Sequence, residues 1–201
     1  MSSREYQSRL VEEFVACWEK LDGFHIGENL DNYASQFSTG EMTQLDEKWR
    51  PVRQQSSSEM LDSLYAKLPA RFPPLYEQLV LTYRWPAVDL GSYRLVGNPL
   101  GTDLFGLLQN MLRDNFLSTF LLKNGYIPFG KGPDIDYDPV CFNLRARKRD
   151  GEFAITKLDH EEILCNERIK VVGQLAPSFE QLVLNTIEVS KNKISTTKLQ
   201  K

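Results

Sequence analysis

The spacing of apolar residues changes once along this chain, and that change constrains the fold more than any other feature. Up to about Lys123 the apolar residues recur every three or four positions, the spacing of helices that bury one face. From Tyr126 they alternate, as in strands with one buried side. A chain that keeps its helices and strands in separate parts predicts an α+β fold, not the interleaved βαβ units of a parallel sheet. The expectation is a single domain with a mixed or antiparallel sheet, its strands mainly within residues 92–172, flanked by helices.

The first helix is expected over residues 4–22, on Leu10, Phe14, Cys17, Trp18 and Leu21, with Gly23 as its stop. Residues 24–55 are polar with scattered aromatics and read as a packed irregular segment or short helices. Ser56 and Glu59 have the spacing of a capping box, predicting a helix to about Lys67. A second helix follows over residues 73–84 and ends at Trp85-Pro86. Asp103 is placed to cap one long helix through Lys123. Strands are predicted at residues 92–97, 126–129, 139–147, 152–157 and 168–172, with a turn at Arg149-Asp150-Gly151. Ser178 and Gln181 form another capping box, opening a terminal helix. The expected organisation is therefore a helical N-terminal extension packed on the core (residues 1–60), the α+β domain (61–190) and a frayed basic tail (191–201).

An apolar fraction of 41% and a charged fraction of 25% are globular values, which excludes wholesale disorder. The N-terminus has no basic-then-apolar secretory pattern, and no apolar run reaches the roughly 20 residues of a membrane span. Three scattered cysteines, Cys17, Cys141 and Cys165, make no disulfide framework and sit in apolar surroundings, as buried thiols in a reducing compartment would. The chain is accordingly expected in the cytoplasm. Its charge is uneven. Residues 1–144 hold 13 Lys and Arg against 19 Asp and Glu, whereas residues 145–201 hold 11 against 8. An acidic main body disfavours nucleic acid, which needs a concentrated basic surface, and suits a basic protein partner.

The apparent chemical motifs fail on physical grounds. Gly125 to Gly132 nearly spells a phosphate loop, but Gly132 stands where a hydroxyl must hold magnesium. Asp134, Asp136 and Asp138 begin like a calcium loop, but Pro139 and Arg145 occupy the positions that need Gly and Glu. His25 and His160 are the only histidines, no cysteine pair has metal-ligand spacing, and His160 reads as a surface residue of a helix's first turn. Arg145, Arg147 and Arg149 share one strand face without the interleaved aromatics that stack bases. No catalytic constellation, metal site or cofactor is expected.

Several segments, in order, carry a family resemblance: Leu68-Pro69 with the helix ending near Trp85, Ile127-Pro-Phe-Gly130, Asp138-Pro-Val-Cys-Phe-Asn-Leu144, Gly151 to Ile155, Leu158-Asp-His-Glu161, Val171-Val172, and Ala176 to Leu182. Together they resemble the SUKH superfamily of fungal cell-wall-synthesis regulators and bacterial immunity proteins, over roughly residues 68–184. The resemblance implies a non-catalytic protein-binding module. Its first implied role is an immunity protein that docks on and neutralises a toxin domain such as a nuclease. The alternative is a regulatory scaffold for signalling or cell-wall-synthesis partners. Such docking needs aromatic anchors and a carboxylate rim. The candidates are Trp85, Tyr93, Asp134, Asp136, Tyr137 and Asp138, which flank the expected sheet edge and turns; Trp85 and Tyr93 fit the core equally well.

Overall fold

The computed structural model describes residues 3–26, 33–42, 47–101, 103–147 and 150–198. Helix α1 (Ser3–Leu21) buries Leu10, Phe14, Cys17 and Trp18 at the expected spacing and widens the stripe with Val11 and Val15. Two short strands, β1 (Ser38–Met42) and β2 (Glu47–Trp49), pair antiparallel, and β3 (Val52–Arg53) pairs with β4 (Tyr83–Arg84). Between them lie α2 (Met60–Tyr65) and α3 (Pro74–Thr82). Proline suits the start of α3 because the first amides of a helix have no carbonyl to reach.

The remaining elements build one sheet. They are β5 (Val88–Asp89), β6 (Arg94–Leu95), α4 (Phe105–Met111), α5 (Asn115–Lys123), β7 (Tyr126–Lys131), β8 (Pro139–Arg147), β9 (Phe153–Leu158), α6 (His160–Asn166), β10 (Val171–Ala176) and α7 (Phe179–Lys198). Strands β5 to β10 lie side by side in chain order, every neighbouring pair antiparallel. The fold is α+β, and the expected sheet is wholly antiparallel.

Alternation along the central strands divides the core in two. Ile127 and Phe129 of β7, Val140 and Phe142 of β8, and Phe153 and Ile155 of β9 join the main cluster with α1, α3 and α7. There Phe129 and Phe142 stack at 4.2 Å between ring centres, with Tyr76 and Phe179 edge-on to both. Tyr126, Cys141 and Leu158 instead form a smaller cluster with Leu121 of α5 and Ile163 of α6. The sheet is thus covered on both faces.

The structure corrects several expectations. Residues 33–53 keep one short helix, the 3-10 turn Ala34–Phe37, but add three strands, with Trp49 fully buried against Phe24 and its indole N–H donated to Asp22 Oδ1 at 3.0 Å. Ser56 makes no helix cap; its hydroxyl receives Arg84 Nη2 at 2.6 Å. The long helix after Asp103 is two helices, because Asp114 caps a new start by accepting the Leu117 amide at 2.8 Å. Ser178 does cap α7, its hydroxyl accepting the Gln181 amide at 3.1 Å, but the Gln181 side chain donates to Asn185 Oδ1 at 2.9 Å instead of closing the capping box. Helix α7 runs to Lys198. The basic run falls partly on residues 148 and 149, and there it lies outside the described residues. Cys17 and Cys141 are buried, whereas Cys165 is exposed. Among the described residues, no helix is long and apolar enough to cross a membrane.

Candidate functional site

The six candidate positions separate into two places. Trp85 and Tyr93 are fully buried, and both satisfy their polar atom inside the protein. The Trp85 indole donates to the Val96 carbonyl at 3.0 Å, and the Tyr93 hydroxyl lies 3.1 Å from that of Thr186. They belong to the core and offer nothing to a partner. Asp134, Asp136, Tyr137 and Asp138 do come together, in the loop between β7 and β8.

Local backbone contacts shape that loop. The Gly132 amide donates to the Asp138 carbonyl, and the Asp136 amide donates to the Pro133 carbonyl, each at 2.9 Å. A Cβ at Gly132 would run into the Asp136 carboxyl and push it off its place beside Lys157. Asp134 takes a positive φ of 50°, a conformation Asp tolerates better than most residues.

Longer contacts then fasten the loop to α6 and β9. Asp138 Oδ1 accepts both the backbone amide of His160, at 3.0 Å, and its ring Nδ1, at 2.8 Å. Lys157 binds the Asp136 carboxylate and sits 3.6 Å from Asp138 Oδ2. Partial burial pushes the Asp136 carboxyl up, but the Lys157 ammonium and the Asp138 amide outweigh it and hold it below its ordinary value. The same pairing raises Lys157. Two of the three expected rim carboxylates are therefore spent inside the protein, and Asp134 is the one left exposed.

The outer side of the loop is apolar. Ile135 is 85% exposed and Tyr137 58% exposed, and Lys131 Nζ lies 4.7 Å from the Tyr137 ring centre. Beside the loop, the second face of the sheet and helices α4, α5 and α6 line a half-open cavity of about 590 Å³. Its wall is mostly apolar, from Val96, Met111, Leu117, Leu121, Pro128 and Leu164. Arg94, Arg113, Asp114, Lys131, Tyr137 and His160 are its charged or titratable members, so Tyr137 of the loop also borders this cavity. At the floor, a Cβ on Gly130 would come within 2.6 Å of the Arg94 carbonyl, so glycine is what lets β6 and β7 close up here.

Sequence reasoning missed His160 and Lys157 as parts of this site. The Asp159 cap of α6 was legible, since its carboxylate accepts the Glu162 amide at 3.0 Å. The neighbouring Asp138–His160 contact joins positions 22 apart and left no local signal. Arg94 and Arg113 stood in no motif. Among the described residues, no group of three or more His, Cys, Asp or Glu is placed to hold a metal ion. The Asp136 and Asp138 carboxylates answer to Lys157 and His160 instead.

No protein-family model matches the chain, and no curated protein matches it. The fold and the site define an α+β protein with a covered antiparallel sheet, a braced loop and a cavity beside that loop.

Proposed function

We propose that the protein is a non-catalytic module that docks on another protein, acting in the cytoplasm as an immunity protein that neutralises a toxin domain such as a nuclease. The observation that carries the docking reading is the braced loop. Its exposed pair, Ile135 and Tyr137, is held from behind by Asp136–Lys157 and Asp138–His160. An anchor already fixed in place loses little freedom on binding, which leaves more of the contact energy for affinity. Asp134 beside it supplies a carboxylate for a basic partner, and the acidic balance of residues 1–144 would steer the encounter. The resemblance to the SUKH superfamily supports the immunity role. A scaffold would use residues 1–60 as an added docking element, and α1 is occupied in the main core.

The test is capture of partners by the tagged full chain from its own organism's lysate, at low and moderate salt. One basic toxin-domain protein, held near one-to-one and less well at higher salt, is the expected result. Ile135→Asp combined with Tyr137→Ala should release it. Val172→Asp, on the exposed edge strand β10, should not. Release by the β10 variant alone would move the docking surface to the sheet edge, and capture of several signalling proteins would favour the scaffold.

A further inference from the structure

We propose that the half-open cavity beside the β7–β8 loop binds a small neutral molecule made of an apolar body and one hydrogen-bond donor, such as an alkylphenol. Its volume of about 590 Å³ lies in the range of sites that hold small ligands. Met111, Leu117, Leu121, Pro128 and Leu164 give it a mostly apolar wall. The charges on that wall are already answered. Arg94 and Lys131 both have partners within the protein, and Lys131 also lies over the Tyr137 ring. Asp114 caps α5, and Arg113 is exposed, with its charge in water. Asn110 gives its side-chain N–H groups to the Tyr33 hydroxyl and the Gly97 carbonyl. A charged ligand would shed its hydration here without meeting a free counter-charge, which favours a neutral one.

His160 supplies the polar mark. Asp138 Oδ1 faces its Nδ1 at 2.8 Å, and an ionised carboxylate only accepts, so Nδ1 carries the proton. In the neutral ring that leaves Nε2 as an acceptor, and no described residue donates to it. The backbone amide of His160 donates to the same Oδ1 at 3.0 Å, which holds the ring's position as well as its tautomer. This ring lines the cavity, its side chain is only 27% exposed, and its open acceptor suits a ligand with one O–H or N–H. Tyr137 borders the cavity and also belongs to the outer side of the loop, so an occupant and a docked partner would meet at that one side chain.

The test uses the full chain with no partner present, so its failure would leave the docking reading standing. The chain has only two histidines, His25 and His160, and their ring nitrogens can be followed by NMR at pH 8. Titration with 4-butylphenol should give a saturable shift of the His160 Nε2 signal. Butylbenzene has the same body without the donor and should bind about threefold or more weakly. His160→Phe should bring the phenol down to the level of butylbenzene while leaving butylbenzene unchanged. 4-Butylbenzoate, with an anionic head on the same body, should bind more weakly than the phenol. Leu164→Trp, at a position 46% exposed on the cavity wall, should weaken both neutral ligands by narrowing the space. No saturable shift, a shift confined to His25, equal binding of phenol and butylbenzene, tighter binding of the benzoate, or undiminished binding to the Leu164 variant would each overturn the proposal.

Discussion

Asp136 and Glu152 are both acidic and both flank the central strands, yet the structure gives them opposite responses to pH. Asp136 is held below its ordinary value of 3.8, so its contribution to stability is present above that value and is lost as pH falls through the lower folded one. Glu152 is only 8% exposed and accepts the Phe179 amide at 2.9 Å, at the start of α7. Burial pushes its carboxyl above the ordinary 4.5, and the nearby charges of Asp150 and Glu180 push the same way against the amide hydrogen bonds. Its contribution is therefore complete below 4.5 and is lost as pH rises through the folded value. Asp136→Asn should cost under about 1 kcal/mol at neutral pH, since the pair is partly in water, and nothing in strong acid. Glu152→Gln should be neutral or stabilising at pH 7, because an amide oxygen still accepts the Phe179 N–H without a charge to bury. Urea unfolding at acidic and neutral pH reads both effects. A Glu152→Gln protein that loses stability only at neutral pH would show that the buried charge is favoured there, through the α7 dipole. None of this was legible in the sequence, where Glu152 read as the edge of a strand and Asp136 as part of a polar turn. The contacts that decide it span 27 and 21 positions.

At the scale of elements, legibility followed length and periodicity. Helix α1, strand β8 and the cap of α7 were readable because each has several turns, several alternations or a capping serine of its own. The two-residue strands β4, β5 and β6 have no period to read, and their pairing is set by neighbours elsewhere in the chain. The split between α4 and α5 was hidden because apolar residues recur at helical spacing on both sides of Arg113-Asp114-Asn115. Asp114 was the available signal, and it competed with Asp103 for the same role. The standing of α1 follows from its packing. Trp18 meets Trp85 at 5.5 Å, Phe14 meets Phe179 at 6.4 Å, and the Tyr6 hydroxyl donates to Glu180 at 2.9 Å. Burying either large aromatic is worth about 3–5 kcal/mol by truncation, against a total stability of about 5–15 kcal/mol for a domain. Deleting residues 1–23 should therefore leave a chain with no cooperative unfolding transition by circular dichroism. A truncated protein that still melts sharply would show that residues 61–190 fold alone and that α1 is an accessory.

The whole molecule can be tested for unity with probes it already carries. Trp18, Trp49 and Trp85 are all fully buried, and all three lie in the part of the chain that precedes the long strands. Their fluorescence reports the packing of α1, β2 and the turn after α3. Far-ultraviolet circular dichroism instead weights the helices and the six-stranded sheet. The main cluster runs without a break from Leu10 of α1, through Trp49 and Trp85, to Phe142 of β8 and Ile187 of α7. Residues so far apart in the chain cannot lose their packing separately if each leaves a hole in the same core. The emission should start blue-shifted, resist quenching by acrylamide, and move to the red in one step. That step should share its urea midpoint with the loss of circular dichroism. A fluorescence change that comes first would mean that residues 1–60 detach as a unit while the sheet stands. The expected organisation into an extension and a core would then describe the energetics, even though the packing joins them.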